Sequence, residues 1–257
     1  MTDIDRHSPG MPAWIDLGTS DPEAAGIFYA RLFGWQVQDL GPDAGDYRMC
    51  SLRERPVAGI GSQADDTMPP YWTTYFCVES VESTVAKITA NGGTMIVPPM
   101  DVMDAGRMAV ASDPTGAVFS LWQPLGHQGI GVSGELGTRC WSELATRDTA
   151  TAASFYAAVF GWTAQDAGND MHYTLFQLGS MDAGGMMAMG DMFPPEVPPY
   201  WAVYFYTDDI DGTVAPATGL GGNIIVPPSE IPGVGRFSVV VDPQGATFSL
   251  LQPNPAA

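Results

Sequence analysis

The stretch WIDLGTSDPEAAGIFYARLFGW, Trp14 to Trp35, returns without a gap as WSELATRDTATAASFYAAVFGW, Trp141 to Trp162, with 11 of the 22 positions identical. Its first residues read as a strand that ends on Asp21, an aspartate placed to cap a helix. Ala25, Phe28, Tyr29 and Leu32 then recur at helical spacing until Gly34 stops the run. Further along, PPYWTTYFCV (Pro69 to Val78) returns as PPYWAVYFYT (Pro198 to Thr207). Gly92 to Pro124 matches Gly221 to Pro253 at 18 of 33 positions. A repeat on this scale means two homologous domains. They span 13–124 and 138–253, with a tail at 1–12, the Gly-rich linker LGHQGIGVSGELG at 125–137 and a short tail at 254–257.

Each domain divides again. After the first helix the spacing predicts short strands around Trp35–Gln38, Tyr47–Leu52 and Val57–Gly61. The pattern then restarts with the strand YWTTYFCV and a helix from Val81 to Ala90 that ends at NGG, a good C-cap. Strands follow at Thr94–Val97, Arg107–Ser112 and Ala117–Trp122, the last two joined by the turn DPTG. The fold expected is α+β, built from four β-α-β-β-β units. An eightfold βα barrel is excluded, because it would need a helix after every strand.

The 257 residues carry 29 acidic and 10 basic side chains, a formal net charge of −19, and 45% hydrophobic residues. That much apolar material can fill sizeable cores. A surface this acidic, with no Lys/Arg cluster, repels phosphate backbones and anionic lipid, which argues against nucleic-acid and membrane partners. No apolar run nears the roughly 20 residues that span a bilayer, and MTDIDRHSPGMP at the start has no signal-peptide core. Cys50, Cys77 and Cys140 lie far apart without CxxC spacing, as expected of core thiols in a reducing cytoplasm.

The paired β-α-β-β-β units, with D…FY…FGW in the first helix and GR…DPxG toward the end, resemble the vicinal oxygen chelate superfamily. Its members include glyoxalase I, bleomycin-resistance proteins and extradiol dioxygenases. Within it the chain looks like the two-domain, glyoxalase-like type of actinobacteria, which includes a mycobacterial antigen and hydroxylase-named proteins of aromatic polyketide antibiotic clusters. The resemblance implies mixed sheets curled into cups, with chemistry on the concave face. In metal-dependent members it also implies four ligand places on that face. Here they fall on Trp14 and Trp141, on Ala58–Gly59 and Gly184–Gly185, on Thr73 and Ala202, and on Ser120 and Ser249. None holds His, Glu or Cys, an indole N–H can only donate, and the family's metals need imidazole or carboxylate donors. No metal is expected. No other cofactor is expected either, since neither a GxGxxG fingerprint nor a haem cysteine context is present.

Strand alternation then names the side chains that look into each cup. On the opening strands these are Trp14 with Asp16, and Trp141 with Glu143. On the fifth strands they are Tyr71, Thr73, Tyr75 and Cys77, matched by Tyr200, Ala202, Tyr204 and Tyr206. On the last strands they are Val118, Ser120 and Trp122, matched by Thr247, Ser249 and Leu251. Methionines crowd MMAMGDMF, Met186 to Phe193, and could shape themselves around an apolar guest. Asp16 and Glu143 are the one acid pair kept on an inward face. Desolvation beside indole prepares such a carboxyl for acid–base catalysis, and a plain hydrogen-bond acceptor role is the simpler alternative. His172 is a candidate proton shuttle or ligand contact. Arg107 and Arg236 are expected to orient a turn or an acid.

The function expected is binding of a hydrophobic, aromatic or polyketide-like small molecule in a Trp/Tyr-lined cup, in a resistance or accessory role in secondary metabolism. The alternatives are a metal-independent enzyme using Asp16 or Glu143, and a metal-dependent lyase or dioxygenase whose ligands the sequence lacks. A cytoplasmic location fits the composition. A monomer fits too, because the fused domains can pair internally.

Overall fold

Asp21 and Gly34 bracket the first helix as the repeat predicts. The Asp21 carboxylate accepts from the Ala24 N–H at 2.9 Å, Pro22 opens the helix, and Gly34 closes it at a left-handed φ of 74°. Asp148 and Gly161 do the same for the copy, where the Asp148 carboxylate accepts from Thr151 and Gly161 sits at φ 76°. The protein is described by a computed structural model over residues 2–63, 67–168, 173–191 and 193–255.

The chain begins with β1 (Thr2–Asp3) and β2 (Pro12–Thr19), followed by α1 (Pro22–Phe33), β3 (Gln36–Asp39), β4 (Arg48–Leu52) and β5 (Arg55–Ser62). The second unit is β6 (Tyr71–Cys77), α2 (Val81–Ala90), β7 (Thr94–Val102), β8 (Gly106–Ser112) and β9 (Val118–Pro124). After β10 (Val132–Ser133) the pattern repeats as β11 (Arg139–Thr146), α3 (Thr149–Phe160), β12 (Thr163–Asp166), β13 (Thr174–Leu178) and β14 (Met181–Ala188). The last unit is β15 (Tyr200–Tyr206), α4 (Ile210–Gly219), β16 (Asn223–Ile231), β17 (Gly235–Val241) and β18 (Thr247–Pro253).

Strands pair within each half. One eight-stranded sheet runs β3-β4-β5-β2-β6-β9-β8-β7 and the other β12-β13-β14-β11-β15-β18-β17-β16. The two units of a half join where β2 meets β6, or β11 meets β15, antiparallel at the sheet centre. One edge strand outruns its prediction. β7 was expected to stop at Val97 but continues through Pro98 and Pro99 to Val102. Its ladder to β8 is interrupted there by register shifts, and prolines that cannot donate are tolerated on an edge strand of this kind.

Two of the helices, α1 and α3, also pack across the halves. Tyr29 of α1 stacks on Trp35 (ring centroids 5.5 Å) and meets Phe248 of the other half edge-on (5.6 Å), while Phe33 lies 5.1 Å from Phe205. In the mirror arrangement Tyr156 stacks on Trp162 (5.3 Å) and meets Phe119 (5.8 Å), and Phe160 meets Phe76 (5.1 Å). FYARLFGW and FYAAVFGW are therefore core, as their patterning implied, and each closes the core of the opposite half.

The repeated DPxG turns have a second duty. Asp113 Oδ1 accepts from the N–H groups of Thr115, Gly116 and Ala117, which makes the turn. Its Oδ2 accepts from the Tyr156 hydroxyl at 2.9 Å, and that hydroxyl in turn accepts from Trp201 Nε1 at 2.8 Å. Asp242, Tyr29 and Trp72 repeat the relay at 3.0 and 3.1 Å.

The tail and linker also meet. β1 pairs antiparallel with β10, Arg53 bridges Asp3 and Glu135, and Arg55 bridges Asp3 and Asp5. Together they form a strap across the first half. No helix among the described residues is long and apolar enough to cross a membrane.

Candidate functional site

β2 and β11 carry the chemistry because they are central strands with one face toward the helices and one toward the cup. In the first half a row of same-face residues crosses the sheet as Trp14, Tyr75, Ser120 and Val110. The row beside it is Met49, Gly59, Asp16 and Thr73. In the second half the rows are Trp141, Tyr204, Ser249 and Val239, then Leu175, Gly185, Glu143 and Ala202.

The two acids occupy equivalent settings. The Tyr75 hydroxyl donates to Asp16 Oδ2 at 2.8 Å, and the Tyr204 hydroxyl donates to Glu143 Oε1 at 2.9 Å. One further tyrosine completes each cluster, and sequence reasoning missed both. Trp14 Nε1 donates to the Tyr47 hydroxyl at 3.0 Å, and Trp141 Nε1 donates to the Tyr173 hydroxyl at 2.8 Å. Tyr173 also hydrogen-bonds Glu143. The signal was present: Tyr47 in DYRMC and Tyr173 in HYTLF hold corresponding places in the repeat, each entering the strand that flanks the Gly59 or Gly185 strand. That glycine is required. A Cβ on Gly59 would collide with the Tyr47 hydroxyl, and one on Gly185 with the Tyr173 hydroxyl.

Burial sets the electrostatics. Desolvation raises the Asp16 carboxyl to about 7, against the smaller lowering effect of the Tyr75 hydrogen bond. Desolvation likewise raises Glu143, opposed by bonds from Tyr173 and Tyr204. The tyrosines are held well above their ordinary range by burial and by the neighbouring carboxylate, so they stay protonated donors. Ser120 Oγ is buried beside the Tyr75 hydroxyl, close enough to lower its pKa but outside hydrogen-bond geometry. Ser249 stands in the same relation to Tyr204. Each cup thus holds a carboxyl between phenols, able to accept a hydrogen bond when ionised and to donate one when protonated.

Access differs between the cups. Trp14, Thr73, Tyr75, Ser120 and Trp122 are all buried, whereas Trp141, Ala202 and Tyr206 are half-buried. Tyr204 and Ser249 are buried, and Tyr71 and Tyr200 stand exposed at the rims. Trp14, read from sequence as looking into the cup, is 3% exposed there. His127 of the linker meets it edge-on at 4.4 Å, and the His127 carbonyl accepts from Trp122 Nε1 at 2.9 Å. Met186 is corrected, since it is 2% exposed in the helix-side core with Phe155 and Tyr156 and does not line the cup. His172 lies outside the described residues. Arg107 binds Glu82 and Asp101, and Arg236 binds Asp211, so both orient acids. Burial pushes the Cys50 and Cys140 thiols up to about 12, which leaves no thiolate nucleophile at neutral pH.

A divalent metal does not fit this donor set. Among the described residues each cup offers one carboxyl, with hydroxyls and an indole N–H around it, and a tyrosine fills the space over the glycine at the second ligand place. Among the described residues no three or more His, Cys, Asp or Glu side chains are grouped so as to hold an ion.

Two tandem βαβββ pairs, each curling a mixed sheet around an acid held between aromatic side chains, define a duplicated cup protein of the glyoxalase-like class. The chain belongs to the Glyoxalase/Bleomycin resistance protein/Dioxygenase superfamily, whose family model matches residues 12–121 and 140–250. It is 42% identical over 257 residues to CFP32 of Mycobacterium bovis and Mycobacterium tuberculosis, a protein provisionally named a glyoxylase, covering 97% of each chain. It is 35% identical over 263 residues to the anthracycline biosynthesis protein DnrV of Streptomyces peucetius, covering 96% of this chain and 94% of that one. Among solved structures, the Mn(II)-bound glyoxalase from Novosphingobium aromaticivorans shares the fold with a TM-score of 0.68 at 16% identity, over 96% of this chain and 83% of that one.

Proposed function

We propose that this chain binds a hydrophobic, aromatic or polyketide-like small molecule in its Trp/Tyr-lined cup and does so without a metal ion, in a binding, resistance or accessory role. One observation carries the reading. Of the places where metal-dependent members are expected to hold an ion, the first is a tryptophan whose N–H donates to a tyrosine lying over the glycine at the second, and the other two hold Thr or Ala and Ser. An apolar concavity with a few convergent polar groups is the usual form of a small-molecule site. The likeness to an anthracycline biosynthesis protein supports a flat polycyclic guest.

The test is a fluorescence titration with 1,8-dihydroxyanthraquinone on protein purified without added metal, paired with elemental analysis. The expected result is saturable tryptophan quenching and no stoichiometric transition metal. Stoichiometric Ni, Zn, Fe or Mn, or no quenching by any planar polycycle, would overturn the reading.

A second reading is a metal-independent enzyme acting on such a molecule. It is favoured by the Asp16 carboxyl at about 7, which holds both protonation states near neutrality. Under it, Asp16→Asn and Glu143→Gln together abolish turnover and leave quenching nearly intact; retained turnover removes the acids from the mechanism.

A further inference from the structure

We infer that the two cups have divided roles: the first is filled by the chain's own linker, and the second alone receives a neutral, planar aromatic molecule bearing a carbonyl or phenol oxygen. The inference rests on the binding reading above and goes beyond it in naming the site, the stoichiometry and the polar anchor.

Three rows of equivalent side chains locate the difference. At one end of the first cup lie Cys77, Trp122 and Met108, and the next row begins with Trp14 and Tyr75. His127 sits against both tryptophans of these rows, 4.4 Å from Trp14 and 5.8 Å from Trp122. Its backbone carbonyl takes the Trp122 N–H, and Ile130 N–H bonds the Ala13 carbonyl just before Trp14. The tail secures this segment, since His7 bonds the Ile130 carbonyl and β1 pairs with β10. His127 is itself held neutral by burial, its pKa lowered to about 4, so near neutral pH it packs on Trp14 as an uncharged ring.

The second cup has Tyr206, Leu251 and Phe237 in the corresponding row, and all three are half-buried. Trp141, half-buried where Trp14 is 3% exposed, stands beside them. Among the described residues no ring packs on Trp141 as His127 packs on Trp14. Ala202 replaces Thr73 and leaves more room next to Glu143. A flat ring system entering here meets aromatic or aliphatic surface on Trp141, Tyr206, Phe237 and Leu251, and its oxygen meets the Tyr204–Glu143–Tyr173 group. Both phenolic protons point at Glu143, so the anchor for a guest oxygen is the Glu143 carboxyl, which donates to a ketone or quinone oxygen when protonated and accepts from a guest phenol when ionised. The net charge of −19 disfavours an anionic guest.

The whole protein, labelled with fluorotryptophan, is titrated with 1,8-dihydroxyanthraquinone and followed by fluorine NMR and native mass spectrometry. Single Trp→Phe variants assign the seven tryptophan resonances. The expected result is one probe per chain, with the Trp141 resonance moving and those of Trp14 and Trp122 unmoved. Ala202→Trp, which fills the second cup without removing a packed side chain, is expected to weaken binding at least about tenfold, the loss of roughly one stacking contact. Trp141→Phe, which keeps an aromatic face, is expected to weaken it less. Two probes per chain, a shift at Trp14 or Trp122, or full affinity in Ala202→Trp would overturn this inference while leaving the binding reading standing. Failure of any planar probe to bind would sink both.

Discussion

Asp16 shows how a single side chain ties the fold to pH. Its carboxyl is raised from about 3.8 to about 7 because the folded state takes it partly out of water, so the folded protein holds a proton that the unfolded chain releases. The stabilisation from that proton is complete below about pH 4 and is lost as pH rises toward 7. Asp16→Asn is therefore expected to flatten the dependence of stability on pH between about 4 and 7. At pH 8 it should make the protein more stable than the parent by about 1–3 kcal/mol, below the shift's full equivalent because the carboxyl is partly exposed. Urea unfolding at a series of pH values checks this, and an unchanged slope refutes it. Asp16 and Glu143 could be read from the sequence because they repeat on an alternating strand beside a tryptophan. Tyr47 and Tyr173 could not be placed the same way. They lie outside the longest matching blocks, and only the folded sheet brings them over Gly59 and Gly185.

At the scale of the element, periodicity was most informative where one face is apolar. The span Val81–Ala90 and the caps Asp21 and Gly34 emerged as expected, since capping and helical spacing are local properties of the chain. The far end of β7 did not, because an edge strand needs neither continuous pairing nor a buried face. The strap was invisible for a different reason: a ribbon of two residues on each side has no period to read, and the ion pairs that fasten it join residues about 50 or more positions apart. Within β14 the decisive position is Gly185, whose bare backbone lets the Tyr173 hydroxyl reach Glu143. Gly185→Ala is expected to push Tyr173 off its bonds and to cost about 1–3 kcal/mol of stability through overpacking. It should also alter the emission of Trp141, which loses the acceptor for its N–H. Wild-type stability and emission in that variant would show that the tyrosine does not need the space.

For the whole molecule, the sequence left open whether units pair within or between halves, and the structure uses both schemes at once. Strands pair within a half, because the βαβββ units are adjacent in the chain and their central strands meet edge to edge. Helices α1 and α3 pack between halves as well, because each carries an aromatic face too large for its own sheet to cover: Phe28, Tyr29 and Phe33 on α1, and Phe155, Tyr156 and Phe160 on α3. The chain is therefore expected to unfold in one transition, and residues 1–137 alone are expected to lack a cooperative transition. Calorimetry on both checks this, and two separate transitions in the intact protein would contradict it. The same exchange of helices has a consequence for biosynthesis. Phe33 leaves the ribosome 215 residues before Phe248, which helps to close its core. At about 5–20 residues per second that interval is roughly 10–40 s. Throughout it the nascent first half presents an uncovered aromatic face, a ready substrate for holdase chaperones and for mispairing with the second half of a neighbouring polypeptide on the same message.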